Sequence, residues 1–215
     1  MIAVRAWAMA LACVVAIFAA GHALAGPVSE QLKETIDRVV KVLDDPALKG
    51  PDRTEERRVA VTKIAQEIFD FPEVARRSLA RHWQPLTDKQ REEFTALFAD
   101  LLERSYVSKI ELYSGEKITY ANERIDGDTA TVATRIATKS GAEVPIDYRL
   151  LKKEPRWLVY DVNIEGVSLV SNYRTQFNKI IQTSSFEELI QKLKTKQGSL
   201  RREPSQPAKP GPAKR

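Results

Sequence analysis

Thiols and imidazoles are nearly missing from this 215-residue chain, which has one cysteine, Cys13, and two histidines, His22 and His82. Cys13 and His22 both lie within the first 25 residues, so a chain that loses that segment keeps no thiol and only His82. This excludes disulfides, a cysteine nucleophile and an imidazole or thiolate cluster for zinc, and it makes a Ser-His-Asp arrangement improbable. His82 stands in Arg81-His82-Trp83 at a predicted helix end, where it reads as a packing or capping residue. Neither a glycine-rich phosphate loop nor a dinucleotide fingerprint occurs.

Long apolar runs are equally scarce. One, Ala6 to Ala20, follows Arg5 and ends in Gly21-His22-Ala23-Leu24-Ala25, the charged, apolar and small-residue order of a cleavable signal peptide. The expected cleavage precedes Gly26. A spanning helix needs roughly 20 apolar residues, more than this run supplies, and Ala10-Leu11-Ala12 before Cys13 is a poor context for lipid attachment. The reading is therefore a signal peptide over 1–25, one exported domain over 26–197 and a tail over 198–215. In that tail Pro204, Pro207, Pro210 and Pro212 alternate with small and basic residues, a composition unable to bury enough apolar surface to fold. The tail reads as a solvated end; weak attraction to anionic membranes, about 1 kcal/mol per charge near the surface, is the alternative.

An excess of one charge sign is also lacking once the charges are located. Taking Arg5 with the leader and Arg201, Arg202, Lys209, Lys214 and Arg215 with the tail from the 34 Lys and Arg leaves 28. Taking Glu203 from the 29 Asp and Glu leaves the same 28. On that count no basic face is implied, and nucleic acid is set aside as a partner.

What is present is a clear change of period along the chain. Leu32, Ile36, Val39, Val40 and Leu43 form one helical stripe over 28–44, and Val61, Ile64, Ala65 and Ile68 continue a second helix after Gly50-Pro51. Pro72 suits the first turn of a short helix to about Arg81. Thr87 and Gln90 make a capping box for a long helix to about Tyr113, with Phe94, Leu97, Phe98, Leu101, Leu102, Tyr106 and Ile110 on one face. Beyond Gly115 the pattern alternates in twos. Four strands are predicted, from Ile118 to Asp126, along Ala130 to Ile136, along Val144 to Leu150, and from Arg156 to Ile164. Short turns join them into an antiparallel meander. Helix returns with Val167, Val170, Tyr173, Phe177 and Ile181, and a last helix spans Ser185 to about Lys196. Helices, strands and helices in separate blocks mean an α+β domain.

Carboxylates are the one catalytic resource left. Asp161 and Glu165 close the fourth strand, and a buried Asp161 beside Trp157 and Tyr160 could serve as a general base. The competing reading has both acids holding the start of the following helix at Gly166-Val167-Ser168. Apolar residues of the long helix and of the strands could face each other, but periodicity does not tell a filled interior from a hollow one.

The stretch Tyr160-Asp161-Val162-Asn163-Ile164-Glu165-Gly166-Val167-Ser168-Leu169-Val170, followed by Asn172-Tyr173-Arg174 and Gln176-Phe177, resembles the signature of the MlaC family of toluene-tolerance phospholipid-binding proteins. Phe69-Asp70-Phe71, Arg81-His82-Trp83 with Leu86-Thr87 and Gln90-Arg91, and Leu102-Glu103-Arg104-Ser105-Tyr106 extend the likeness, in order, over most of 28–196. The resemblance implies a curved antiparallel sheet wrapped by helices, akin to the nuclear-transport-factor-like cone, with an interior apolar pocket. It implies a non-enzymatic periplasmic carrier that takes phospholipid as cargo, not as cofactor, acyl chains inside and head group out. Its implied partners are an inner-membrane ABC transporter with an MCE-domain protein and an outer-membrane lipoprotein complex. By the family pattern Tyr106, Val162, Val167, Val170 and Tyr173 are expected acyl contacts; Leu97, Leu101, Ile110, Ile146, Tyr148 and Val159 join them on periodicity. Asp161 and Glu165 are expected to be architectural. A small-molecule enzyme of the same cone using Asp161, and an envelope adaptor with a filled core, are the alternatives.

Overall fold

Pro27 enters the first helix at its first turn, where its missing N–H costs nothing. Helix α1 spans Pro27–Asp44, and the computed structural model describes residues 26–139 and 141–200. The predicted leader and the tail beyond residue 200 lie outside the described residues. Two single 3₁₀ turns, Pro46–Leu48 and Pro51–Arg53, lead to α2 (Thr54–Ile68). Asp70 then caps α3 (Phe71–Leu79) by accepting from the Glu73 backbone N–H at 3.0 Å.

The long helix α4 (Asp88–Ile110) starts on the predicted capping box. Thr87 Oγ1 accepts from the Gln90 N–H at 3.3 Å, and Gln90 Oε1 accepts from the Thr87 N–H at 2.9 Å. Helices α5 (Leu169–Thr183) and α6 (Phe186–Leu200) close the chain, the latter running a few residues past its predicted end.

Between α4 and α5 lies the meander: β1 (Lys117–Asp126), β2 (Thr129–Ala137), β3 (Glu143–Lys153) and β4 (Arg156–Ile164). The predicted four strands are joined by a fifth, β5 (Val167–Ser168), giving the order β1-β2-β3-β4-β5 with every neighbour antiparallel. Glu165 and Gly166, with φ of 51° and 83°, form the two-residue turn that folds β5 onto β4. Consecutive positive φ values match the twist of a hairpin. Two residues are too short to carry an alternating pattern, so the sequence reads this stretch as helix start.

The buried residues fall into two clusters. Helices α3 to α6 fill one with Leu79, Phe94, Phe98, Leu102, Phe177 and Leu189. Phe98 packs edge-on against Tyr173 and Phe177, ring centres 4.9 Å and 5.0 Å away, geometries that favour the opposed ring quadrupoles. The other cluster joins Val28 and Leu32 of α1 and Ile68 of α2 to Ala130, Val132, Leu150 and Val159 on the sheet. The body therefore has a solid helical block and a separate helix-on-sheet block. Among the described residues, no helix is long and apolar enough to cross a membrane.

Candidate functional site

The inner sheet face is buried most continuously at one end, although Thr134 and Val162 farther along are buried too. Register sets Ala130 opposite Leu150 and Leu150 opposite Val159, and all three are sealed under the first half of α1. Farther along the same face, Tyr148 opposes Val162 and Ile146 opposes Ile164. There Tyr120, Ile146, Tyr148 and Ile164 are only half-buried, as are Ile36, Val39, Val40 and Leu43 on the second half of α1.

Helix α4 shows the same gradient. Phe94 is 0% exposed and Leu101 6%, whereas Ile110 reaches 37%, and Leu112 just beyond the helix 74%. On α1, α4 and the sheet alike, apolar side chains are on the whole less covered toward the end of α4. Ion pairs brace that end: Arg57 and Arg58 of α2 donate to Glu111 at 3.1 Å and 3.0 Å, and Arg57 also donates to the Leu48 carbonyl at 2.6 Å.

The tyrosines mark the inside. Burial alone pushes the Tyr148 hydroxyl up to about 12, yet the residue is only half-buried by surface. Tyr120 is raised too, mainly by burial and secondarily by Tyr148 and Asp37. Tyr106 and Tyr173 are raised by burial first, with Tyr173 adding to the effect on Tyr106. Together these residues offer large hydrocarbon and ring surfaces with few charges, the chemistry suited to apolar chains.

The expected acyl contacts separate into three groups. Leu97, Tyr106, Ile146, Tyr148 and Tyr173 are half-buried, and Val162, 8% exposed, stands opposite Tyr148. Leu101 and Val170 pack inside the helical block, and Val159 is sealed beneath α1. Ile110 lies at the less covered end, while Val167 is 57% exposed on the edge strand β5. Tyr120, Ile36 and Ile164 are half-buried against the same sheet cluster as Ile146 and Tyr148 without having been singled out. The available signal was their alternate or 3.6-residue spacing, which they share with every other core position.

Asp161, 3% exposed, has its carboxylate taken up by architecture. Oδ1 accepts from the Val170 N–H at 3.0 Å, and Oδ2 accepts from the Ser168 hydroxyl at 2.7 Å and from Arg149 at 3.3 Å. It thus ties the start of α5 to β4, as the capping reading expects. Glu165 contributes through its backbone, donating its N–H to the Pro145 carbonyl at 3.0 Å from an exposed turn. No group of three or more His, Cys, Asp or Glu able to hold a metal ion occurs among the described residues.

Comparison with known proteins places this geometry among relatives. The family model described as MlaC protein matches residues 33–195. The intermembrane phospholipid transport system binding protein MlaC of Haemophilus influenzae is 27% identical over 120 residues, covering 54% of this chain and 56% of that protein. The toluene tolerance protein Ttg2D of Pseudomonas putida is 23% identical over 125 residues, covering 57% and 58%. The chain thus spans a little over half the length of these curated relatives. A phospholipid-binding protein of Ralstonia solanacearum, solved in complex with a phospholipid, superposes with a TM-score of 0.72 at 25% identity, over 81% of this chain and 98% of that one. With the family match running from the middle of α1 to the last turns of α6, the chain belongs to the MlaC family.

Proposed function

We propose that this protein is a periplasmic phospholipid carrier, holding acyl chains in a concavity between the sheet and α1, α4 and α5 with the head group at its open end. The observation that supports the reading is that Tyr106 and Tyr173, packed against one filled cluster, and Tyr120, Ile146 and Tyr148, packed against the other, are only half-buried. The lipid complex of the Ralstonia protein, which shares the fold, supports it.

Energetics explains why a carrier is needed. At about 0.8 kcal/mol per buried methylene, a two-chain lipid of about 30 methylenes costs on the order of 20 kcal/mol to expose to water. A hydrocarbon lining offsets most of that cost without directional contacts, so chains enter and leave without a specific lock. Loading and unloading at an inner-membrane ABC transporter with its MCE-domain protein, and at an outer-membrane lipoprotein complex, complete the proposal. No catalytic step is assigned, since three donors already engage Asp161.

The test is transfer of a fluorescent phospholipid between donor and acceptor vesicles. The mature protein should raise the transfer rate in proportion to its concentration, and Tyr148→Glu, which sets a charge in the lining, should abolish the effect. Transfer equal to the protein-free rate would contradict the carrier reading.

A further inference from the structure

The balanced charge of the folded body conceals a segregated one. From Val74 to Thr87 there is no acidic residue, and from Gly166 to Phe186 there is none. These stretches contain α3 from Val74 onward and all of α5, which pack together: Arg174 Nε of α5 donates to the Arg77 carbonyl of α3 at 2.9 Å. The fold thereby merges two acid-free segments into one face carrying Arg76, Arg77, Arg81 and Arg174, with Glu73 as its carboxylate.

These guanidinium groups are held in place. Arg76 donates to both Glu73 oxygens at 2.6 Å and 2.7 Å, and Arg77 donates to Glu73 at 2.6 Å while its guanidinium lies 3.9 Å from the centre of the Tyr160 ring. Arg81 donates to Asn178 Oδ1 at 2.9 Å, and His82 Nε2 lies 2.9 Å from that same oxygen. Arg81 and Arg174 are exposed, and neither forms an ion pair among the described residues. Their orienting partners are neutral, so their positive charge is left uncompensated.

We propose that the α3–α5 face is the docking surface for an acidic protein partner, recognised by carboxylates meeting Arg81 and Arg174. It deepens the carrier reading by naming the face used at hand-over. A protein partner fits better than a lipid surface for two reasons. Pre-oriented guanidinium forks lose little freedom on pairing with fixed carboxylates, an advantage a fluid membrane does not need. Membrane-surface binding also draws on several exposed apolar anchors, whereas among the described residues the two acid-free segments carry a single large exposed apolar side chain, Val167 of β5.

The experiment uses the full mature chain with a fluorescein-labelled deca-glutamate peptide, read by polarisation at low ionic strength. Binding should weaken at least tenfold in Arg81→Glu with Arg174→Glu. It should stay within twofold in Lys63→Glu with Lys117→Glu, which alters net charge equally at exposed sites on α2 and β1. The tail is common to all three proteins. Absent binding by the wild type, or equal weakening in the two double variants, would overturn the proposal. So would co-sedimentation with phosphatidylglycerol vesicles that is lost in the arginine variant while peptide binding is unchanged. Bound lipid measured in each protein separates the two readings, because the arginine variant should keep its cargo; if it fails to fold, Arg81→Gln with Arg174→Gln should show a smaller loss in the same direction.

Discussion

Asp161 of β4 accepts the backbone N–H of Val170 in the first turn of α5 at 3.0 Å, so one buried carboxylate fixes the helix that carries Tyr173 against the sheet that carries Tyr148. Asp161→Ala strands three donors, two of them on the β5–α5 corner, and should cost about 2–4 kcal/mol. Urea unfolding followed by circular dichroism checks the value; a change under 1 kcal/mol, roughly that of a surface substitution, would contradict the assigned role.

Glu73 makes stability depend on acid. The Arg76 hydrogen bonds hold its carboxyl down to about 2 against the opposing effect of burial, with Arg77 adding to the shift. A folded-state value below the unfolded one contributes stability above the unfolded pKa and loses it as pH falls through the folded value. Wild-type stability relative to Glu73→Gln should therefore shrink steadily from about pH 5 to about pH 2. Melting curves of the two proteins across that window should converge at the acid end.

At the start of α4, Thr87→Ala removes one arm of a reciprocal capping box. A loss of about 1 kcal/mol is expected, with lipid content unchanged. Denaturant midpoints and lipid analysis on the same preparations check both halves.

The three groups of candidate contacts should behave differently. Leu101→Ala opens a void in the helical block and should cost about 2–5 kcal/mol. Val167→Glu changes an exposed edge residue and should alter stability by about 0.5 kcal/mol or less, leaving the cargo bound. Tyr148→Glu should fold and lose cargo. Stability and lipid content, measured together, distinguish filling residues from lining residues.

Much of this arrangement was legible in the residues, and the exceptions have physical reasons. Thr87 with Gln90, the Asp126-Gly127 turn and the alternation along β2 and β3 each act over a few residues, so local chemistry suffices to read them. Which apolar residues are sealed and which stay half-buried was harder to read, because Leu101 and Tyr106 share one helical stripe and only the neighbouring elements decide between them. On β4, Val159 and Val162 are three apart and a regular strand would split them between faces. The bulge at Arg149/Leu150 skips Tyr160, letting both valines join the inner cluster. Charge was the plainest miss. Counting gave a neutral body and no basic face, whereas the packing of α3 on α5 unites two acid-free segments 79 or more residues apart, a property of tertiary structure that no count reveals.

The account rests on a cargo, and the direct measurement is solvent extraction and mass spectrometry of mature protein purified without detergent. It predicts about one phospholipid per chain, since a two-chain lipid fills a pocket at the large end of the usual range of about 300–1,000 Å³. Correctly folded protein that yields no phospholipid would contradict it.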